Sequence, residues 1–463
     1  MSLGSTRGRV ALGATVLASG VAFLDSTVVN VAVPAIADDF GVGGDGVQWV
    51  LTAYLLTLAS LILLGGALGD RYGSRRVFVV GAVWFALATL ACALAPSLWF
   101  LVLARLFQGV GGALLTPTSL ALVQASFVPD DRARAVGAWA GLTGLSGAIG
   151  PILGGWLIDG PGWRWAFVLS VPLVLVSVVA VRATPTVVRV PGGRFDLAGA
   201  GLAVVALAGL TLALNRAADD GWGDPLVVVA SVAAIVASVA FVVWERRSAA
   251  PLVPGRLFES RTFTVLSIVT FALYALLGGV FFFVVYQLQV VTGFGALAAA
   301  SSLIPATLLL LFGSARSGAL ATRWGPRPQM VVGPLLTVAG VVVLAGIDVD
   351  TSWTTGVLPG SILLGLGLVA FVAPLTASVM ACVDQRLVGT ASGVNNAIAR
   401  TAGLVALAVI PSVSGLTVAV GTAATTSAFR WSMAIAAALG LVAAAVSALF
   451  LPRRVRPPAA DQS

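Results

Sequence analysis

Gly66-Ala67-Leu68-Gly69-Asp70-Arg71-Tyr72-Gly73-Ser74-Arg75-Arg76 joins two long apolar runs, and Gly318-Ala319-Leu320-Ala321-Thr322-Arg323-Trp324-Gly325-Pro326-Arg327 joins two more. Gly66, Leu68, Arg71, Gly73 and Arg75 return as Gly318, Leu320, Arg323, Gly325 and Arg327, all at an offset of 252 residues. Two loops of one design, on the same side of a series of apolar segments, imply two parallel halves related by an axis along a membrane normal, with a site expected between them.

The composition around these loops names the solvent. Of 463 residues 59% are hydrophobic and 10% charged, with a mean hydropathy of +1.04, whereas a water-soluble domain has roughly a quarter of its residues charged. Runs of spanning length are expected near 10–35, 47–68, 77–96, 99–124, 134–158, 163–183, 196–215, 224–244, 262–292, 296–321, 329–347, 355–382, 390–416 and 428–451. Each must be helical, because unpaired backbone groups are too costly in hydrocarbon and the runs are too long for barrel strands. The expected fold is therefore all-α and polytopic: a six-helix bundle over 1–183, a linker with two extra transmembrane helices over 184–261, a second six-helix bundle over 262–451 and a tail over 452–463. The spans at 196–215 and 224–244 have no counterpart in the repeat and read as an inserted pair.

Charge placement sets the orientation. Arg7 and Arg9, then Arg71, Arg75 and Arg76, Arg132 and Arg134, Arg246 and Arg247, Arg323 and Arg327, and Arg453 and Arg454 occupy alternate connections, while Asp38, Asp39, Asp219, Asp220, Asp348 and Asp350 lie in the others. Positive loops stay cytoplasmic, so both termini are expected there. The net charge of +8 lies between apolar runs and forms no stripe, so no nucleic-acid partner is expected. Histidine is absent, which excludes a His triad, a His metal site and a His relay. Cys92 and Cys382 stand alone in apolar segments without metal or redox spacing, and packing is the expected role of each. No metal site is expected. The first run is longer than a signal-peptide core and lacks a small-residue cleavage site, so it is expected to stay as helix one.

Within the apolar runs a few residues carry chemistry. Asp25 lies nine residues before Pro34, ~13 Å along a helix and near mid-bilayer, where a carboxylate costs several kcal/mol unless it is paired or protonated. It is the candidate proton carrier. Arg105 is six residues beyond Trp99, ~9 Å below the interface, and is expected to face one polar cavity with Asp25; snorkelling to the surface is the other reading. Gly150, Pro151, Gly154 and Gly155 are expected to form a hinge and seal, small residues permitting close helix approach and Pro151 a bend, with helix packing alone as the equal alternative. Asp70 ends one helix, Gly73 makes the turn, and Arg71 and Arg75 lie where they can pair with Asp70 and with exposed carbonyls, a charge cluster that can break and reform; a solvated positive-inside loop is the other reading. The equivalent acid is missing at Thr322. Arg400, eleven residues beyond Gly389, is expected ~16 Å deep and in need of a partner. Asn30, Tyr54, Gln108, Trp139, Tyr274, Tyr286, Gln287, Asn395 and Asn396 could line a cavity with aromatic and amide surface; packing is the alternative for each.

Together these stretches, from about residue 20 to about 405, resemble the major facilitator superfamily in its fourteen-helix drug:proton antiporter branch. Gly66 to Arg76 is similar to the signature loop, Leu24 to Pro34 to the helix-one motif, and Leu101, Arg105, Gln108, Gly109, Gly112 and Ala113 to the motif around a membrane-embedded arginine. Ser146, Gly150, Pro151, Gly154 and Gly155 resemble the antiporter motif of exporters, with Ser146 in place of its first glycine. Trp163, Arg164, Trp165, Phe167 and Pro172, then Gln289, Thr292, Gly293 and Pro305, and then Gly389, Ala391, Ser392, Gly393, Asn395, Asn396 and Arg400 resemble further segments of the branch. The resemblance implies a cytoplasmic latch at Asp70, Arg71, Gly73 and Arg75, and proton coupling through Asp25 and Arg105. It implies a monomeric exporter of amphipathic small molecules in the inner membrane, with lipid and protons as partners and the proton motive force in place of a cofactor. Transport of a specific metabolite or lipid-like solute on the same fold is the near alternative, and a membrane-embedded enzyme or receptor the distant one.

Overall fold

In the computed structural model the described residues are 1–41, 44–185, 196–248, 251–384, 387–415 and 422–455. The helices are α1 Thr6–Phe40, α2 Gly44–Tyr72, α3 Ser74–Ala93, α4 Leu98–Ser126, α5 Pro129–Asp159, α6 Arg164–Ala180, α7 Leu197–Asp220, α8 Pro225–Arg247, a short α9 Arg256–Glu259 and α10 Arg261–Val290. Then come a short α11 Ala296–Ser301, α12 Ile304–Trp324, α13 Arg327–Leu344, α14 Leu358–Ala381, α15 Val388–Ser414 and α16 Thr422–Phe450. Among the described residues 13 helices are long and apolar enough to cross a membrane. The glycine-rich α5, some of whose side chains lie outside the described set, is the remaining long helix.

Local chemistry sets the helix ends. Hydroxyl and carboxylate side chains accept from otherwise orphaned first-turn amides: Ser5 from Gly8 in α1, Ser97 from Phe100 in α4, Asp196 from Gly199 in α7, Asp224 from Leu226 and Val227 in α8, and Ser260 from Phe263 in α10. The two repeated loops turn on Gly73 at φ +92° and Gly325 at φ +79°, backbone that side-chain-bearing residues rarely adopt. The internal repeat thus has a conformational reason at its glycine.

Two compact units emerge, one of residues 1–135, 142–257 and 383–397, the other of 136–141, 258–382 and 398 onward. Within the first, α3 packs on α4 and α6, α1 on α6, and α2 on α4. Within the second, α13 packs on α14 and α16, α10 on α16, and α12 on α14. The two lists are the same list, with α1, α2, α3, α4 and α6 answering to α10, α12, α13, α14 and α16. The inserted pair α7–α8 packs together and α7 packs on α2, so the segment read as a linker joins the first unit. Leu252 anchors it, buried with Ala200 and Ala203 against Leu63, Leu64 and Ala67 of α2.

A second repeat lies at the start of the last helix of each set. Trp163-Arg164-Trp165 opens α6, with Trp163 as its N-cap, and Phe429-Arg430-Trp431 lies in α16. In both, the first ring is buried, the final tryptophan is exposed and the arginine pairs with an aspartate: Arg164 with Asp39 at 2.7 Å and Arg430 with Asp348 at 3.1 Å. Arg164 also donates to the carbonyl of Ala95 just beyond α3, as Arg430 reaches the loop just beyond α13.

A buried carboxylate, guanidinium and amide as the candidate functional site

The site starts from close backbone packing. Gly109 of α4 lies against the backbone of Tyr54 and the side chain of Thr57 in α2, where a β-carbon would collide. That approach brings Arg105, one turn away, under α2, and its Nε donates to the carbonyl of Val50 at 3.0 Å. On the other flank, Gly150 of α5 lies so close to Thr27 that a β-carbon would collide with its side chain, and a β-carbon at Gly154 would touch Val28 at 3.4 Å, both in α1 next to Asp25. The glycines expected to form a hinge thus form the α1–α5 seam; Pro151 and Gly155 lie outside the described side chains.

Asp25 and Arg105 meet directly as an ion pair, each side chain 1% exposed. Arg105 also donates from the same terminal nitrogen to Oε1 of Gln108 at 2.6 Å. Gln108 Nε2 donates to Asp25 Oδ1 at 3.0 Å and to Thr89 Oγ1 at 2.8 Å, and the Cys92 thiol faces Gln108 Oε1 at 3.7 Å. The guanidinium lies over the Tyr54 ring, 4.3 Å from its centroid, and nearer the edge of Phe167's reach at 5.9 Å. Such cation–π contacts steady a desolvated cation. The expected polar cavity around Asp25 and Arg105 is therefore a packed network. Tyr54 and Gln108, expected to line a cavity, are 1% and 0% exposed because both are occupied by Arg105. Thr89, Cys92 and the Val50 carbonyl were not singled out as polar partners in the sequence; the three-residue spacing of Thr89 and Cys92 on one face of α3 was the available signal.

The loop residues make a different contact from the expected one. Asp70 accepts from the backbone N–H of Gly389 at 2.8 Å, the N–H of Thr390 at 2.6 Å and the Thr390 hydroxyl at 2.7 Å. The carboxylate thus caps the start of α15, where the free N–H groups and helix dipole favour negative charge, in place of the expected pairing with Arg71 and Arg75. Gly66, Gly389 and Gly393 make this possible by bringing α2 and α15 into backbone contact. Arg75 donates to the Thr184 carbonyl at 3.4 Å, and Arg71 lies over Tyr72 at 5.5 Å. Arg386 lies outside the described residues.

The other expected cavity residues divide between packing and partial exposure. Gln287 is 0% exposed and donates to Ile347 and Thr426, tying α10 to α16, in keeping with the packing alternative. Trp139 and Asn395 are buried, and Asn396 donates to the Ser392 carbonyl. Tyr286 is half-buried and stacked on Phe282. Tyr274 and Arg400 are half-buried. The side chain of Asn30 lies outside the described set.

A repeated helical unit, a repeated glycine-turned loop and a run of membrane-length helices define a multi-pass membrane protein built from two like halves. The chain belongs to the major facilitator superfamily, whose sequence profile matches residues 15–407. It is 34% identical over 400 residues to the puromycin resistance protein pur8 of Streptomyces alboniger, covering 84% of this chain and 78% of that protein. It is also 34% identical to the tetracenomycin C resistance and export protein of Streptomyces glaucescens, over 84% of this chain and 72% of that one. The methylenomycin A resistance protein of Bacillus subtilis is 34% identical, over 85% of each chain. The fold matches the crystal structure of the human organic anion transporter MFSD10 (TETRAN) with a TM-score of 0.69 at 16% identity, over 96% of this chain and 100% of that one.

Proposed function

We propose that this protein is a proton-coupled exporter of amphipathic small molecules, namely drugs, antibiotics or related metabolites. It works in the cell's inner membrane with both termini cytoplasmic, as a monomer, by alternating access. Transport, driven by the proton motive force, is its activity. The observation that carries the reading is the buried Asp25–Arg105–Gln108 network. A buried carboxylate is held by such a charged and hydrogen-bonded partner, so opening the network to one aqueous side couples a proton to conformation. The resistance and export named for the relatives supply the direction and the kind of substrate.

The energy suffices. A tenfold proton gradient gives ~1.4 kcal/mol, and each charge crossing 100 mV adds ~2.3 kcal/mol. The test is a panel of antibiotics added to reconstituted vesicles with a pH-sensitive dye. Substrate-dependent proton movement, together with raised resistance in an expressing strain, is expected. Resistance unchanged across the panel, with proton movement evoked instead by a sugar or an organic acid, would replace drug export by transport of that metabolite.

A further inference from the structure

The hydrogen-bonding capacities around Asp25 fix the orientation of one amide. Arg105 can only donate and a carboxylate can only accept, so Gln108 must turn its oxygen to Arg105 and its nitrogen to Asp25, as the 2.6 Å and 3.0 Å contacts have it. In this arrangement both carboxylate oxygens face donors: Oδ2 the guanidinium and Oδ1 the Gln108 amide. A proton arriving on Oδ1 would point at an N–H. We infer that Gln108 is a positioning residue that converts protonation of Asp25 into release of Arg105, by a half-turn of its amide. This rests on the proton-coupling reading above.

Asp25 takes one proton from hydronium on the open aqueous side, leaving water, and becomes a neutral acid whose O–H must donate. Rotating the amide places its oxygen against that O–H and its NH2 against Arg105, where an acceptor had been. Two donors 2.6 Å apart repel, so the guanidinium leaves the carboxyl. It has somewhere to go, because it already holds the Val50 carbonyl and the face of Tyr54. Thr89 serves either orientation: its hydroxyl accepts from Gln108 now, and can turn from the Phe85 carbonyl to donate afterwards. Loss of the proton reverses each move. An apolar side chain at 108 would leave a protonated Asp25 free to keep Arg105 on its carbonyl oxygen, and the two events would come apart. The ionisable groups facing the amide are Asp25 from α1, Cys92 from α3 and Arg105 from its own helix; Tyr54 of α2 and the Phe167 ring of α6 face the Arg105 guanidinium.

The experiment compares the pH profile of substrate transport in vesicles for the wild type, Asp25→Asn, Gln108→Met and Gln108→Glu, each first checked for folding by gel filtration. A single coupled proton changes the wild-type rate by up to about tenfold per pH unit on the limiting limb. Gln108→Met is expected to flatten this to less than about twofold per pH unit and to lower the number of protons moved per substrate. Gln108→Glu, which sets a second acid beside Asp25, is expected to move the profile to higher pH. An amide that only packs would change the yield of folded protein and leave both profiles in place, which overturns the inference. If Gln108→Met does not fold, an unmoved Gln108→Glu profile overturns it alone. Wild-type pH dependence in Asp25→Asn would instead remove the coupling reading itself.

Discussion

Arg105 is the residue on which the first unit's interior turns. It holds Asp25, Gln108, the Val50 carbonyl and the Tyr54 ring at once, and all are buried. Removing one partner of a buried pair leaves an uncompensated charge and costs about 3–5 kcal/mol. Arg105→Ala is therefore expected to lower the unfolding midpoint in detergent strongly, and Asp25→Asn added to it to restore part of the loss. Equal melting of the single and double variants would deny the pair its energetic role. Cys382 gives an independent check: burial pushes its thiol up to about 12, so it stays protonated and covered near neutral pH. Maleimide should label it only after denaturation, and prompt labelling of the folded protein would contradict its placement. Depth counting brought Asp25 and Arg105 to similar levels in the sequence. It did not find Gln108 between them, because an amide in an apolar helix reads equally well as packing or as cavity lining until its neighbours are known.

The helices act through glycine seams. Gly150 presses on Thr27 beside Asp25, whereas a β-carbon at Gly13 of α1 would meet nothing within 4 Å. Gly150→Ala should reduce export far more than Gly13→Ala, measured as antibiotic efflux at matched expression; equal effects would show that the α1–α5 contact is dispensable. Asp70 works at the same scale, as a cap supplied by α2 to α15. A charge at a helix N-terminus contributes about 0.3–1 kcal/mol, up to ~2 when partly buried. Asp70→Asn should therefore speed hydrogen exchange at Gly389 and Thr390, by up to about tenfold for 1.4 kcal/mol. Unchanged exchange would show that the clasp is held by the glycine contacts alone. Sequence spacing marked Asp70 and Gly73 as a loop able to break and reform. The partner lay 319 residues away, and nothing local to the loop distinguished a helix N-terminus from the arginines beside it.

For the whole molecule, apolar length and the 252-residue repeat were enough to read an all-α, multi-pass fold, because lipid admits little else once spans of that length are present. The repeat goes further than the loops, into matching helix neighbours and the Trp163–Arg164–Trp165 and Phe429–Arg430–Trp431 pair. That second repeat escaped sequence reading because only its arginine and final tryptophan are identical. The inserted helices were legible as an insertion, but their packing on α2 was not, since a lipid-facing and a protein-facing helix of Ala, Val and Leu look alike in composition.

In the proposed mechanism one buried acid, Asp25, couples protons to transport. This coupling is tested most directly by loading inside-out vesicles with the wild type or Asp25→Asn and measuring antibiotic accumulation with and without an imposed pH gradient. The gradient is expected to accelerate accumulation by the wild type and to have no effect on Asp25→Asn. Acceleration of the Asp25→Asn variant to the wild-type extent would contradict the coupling.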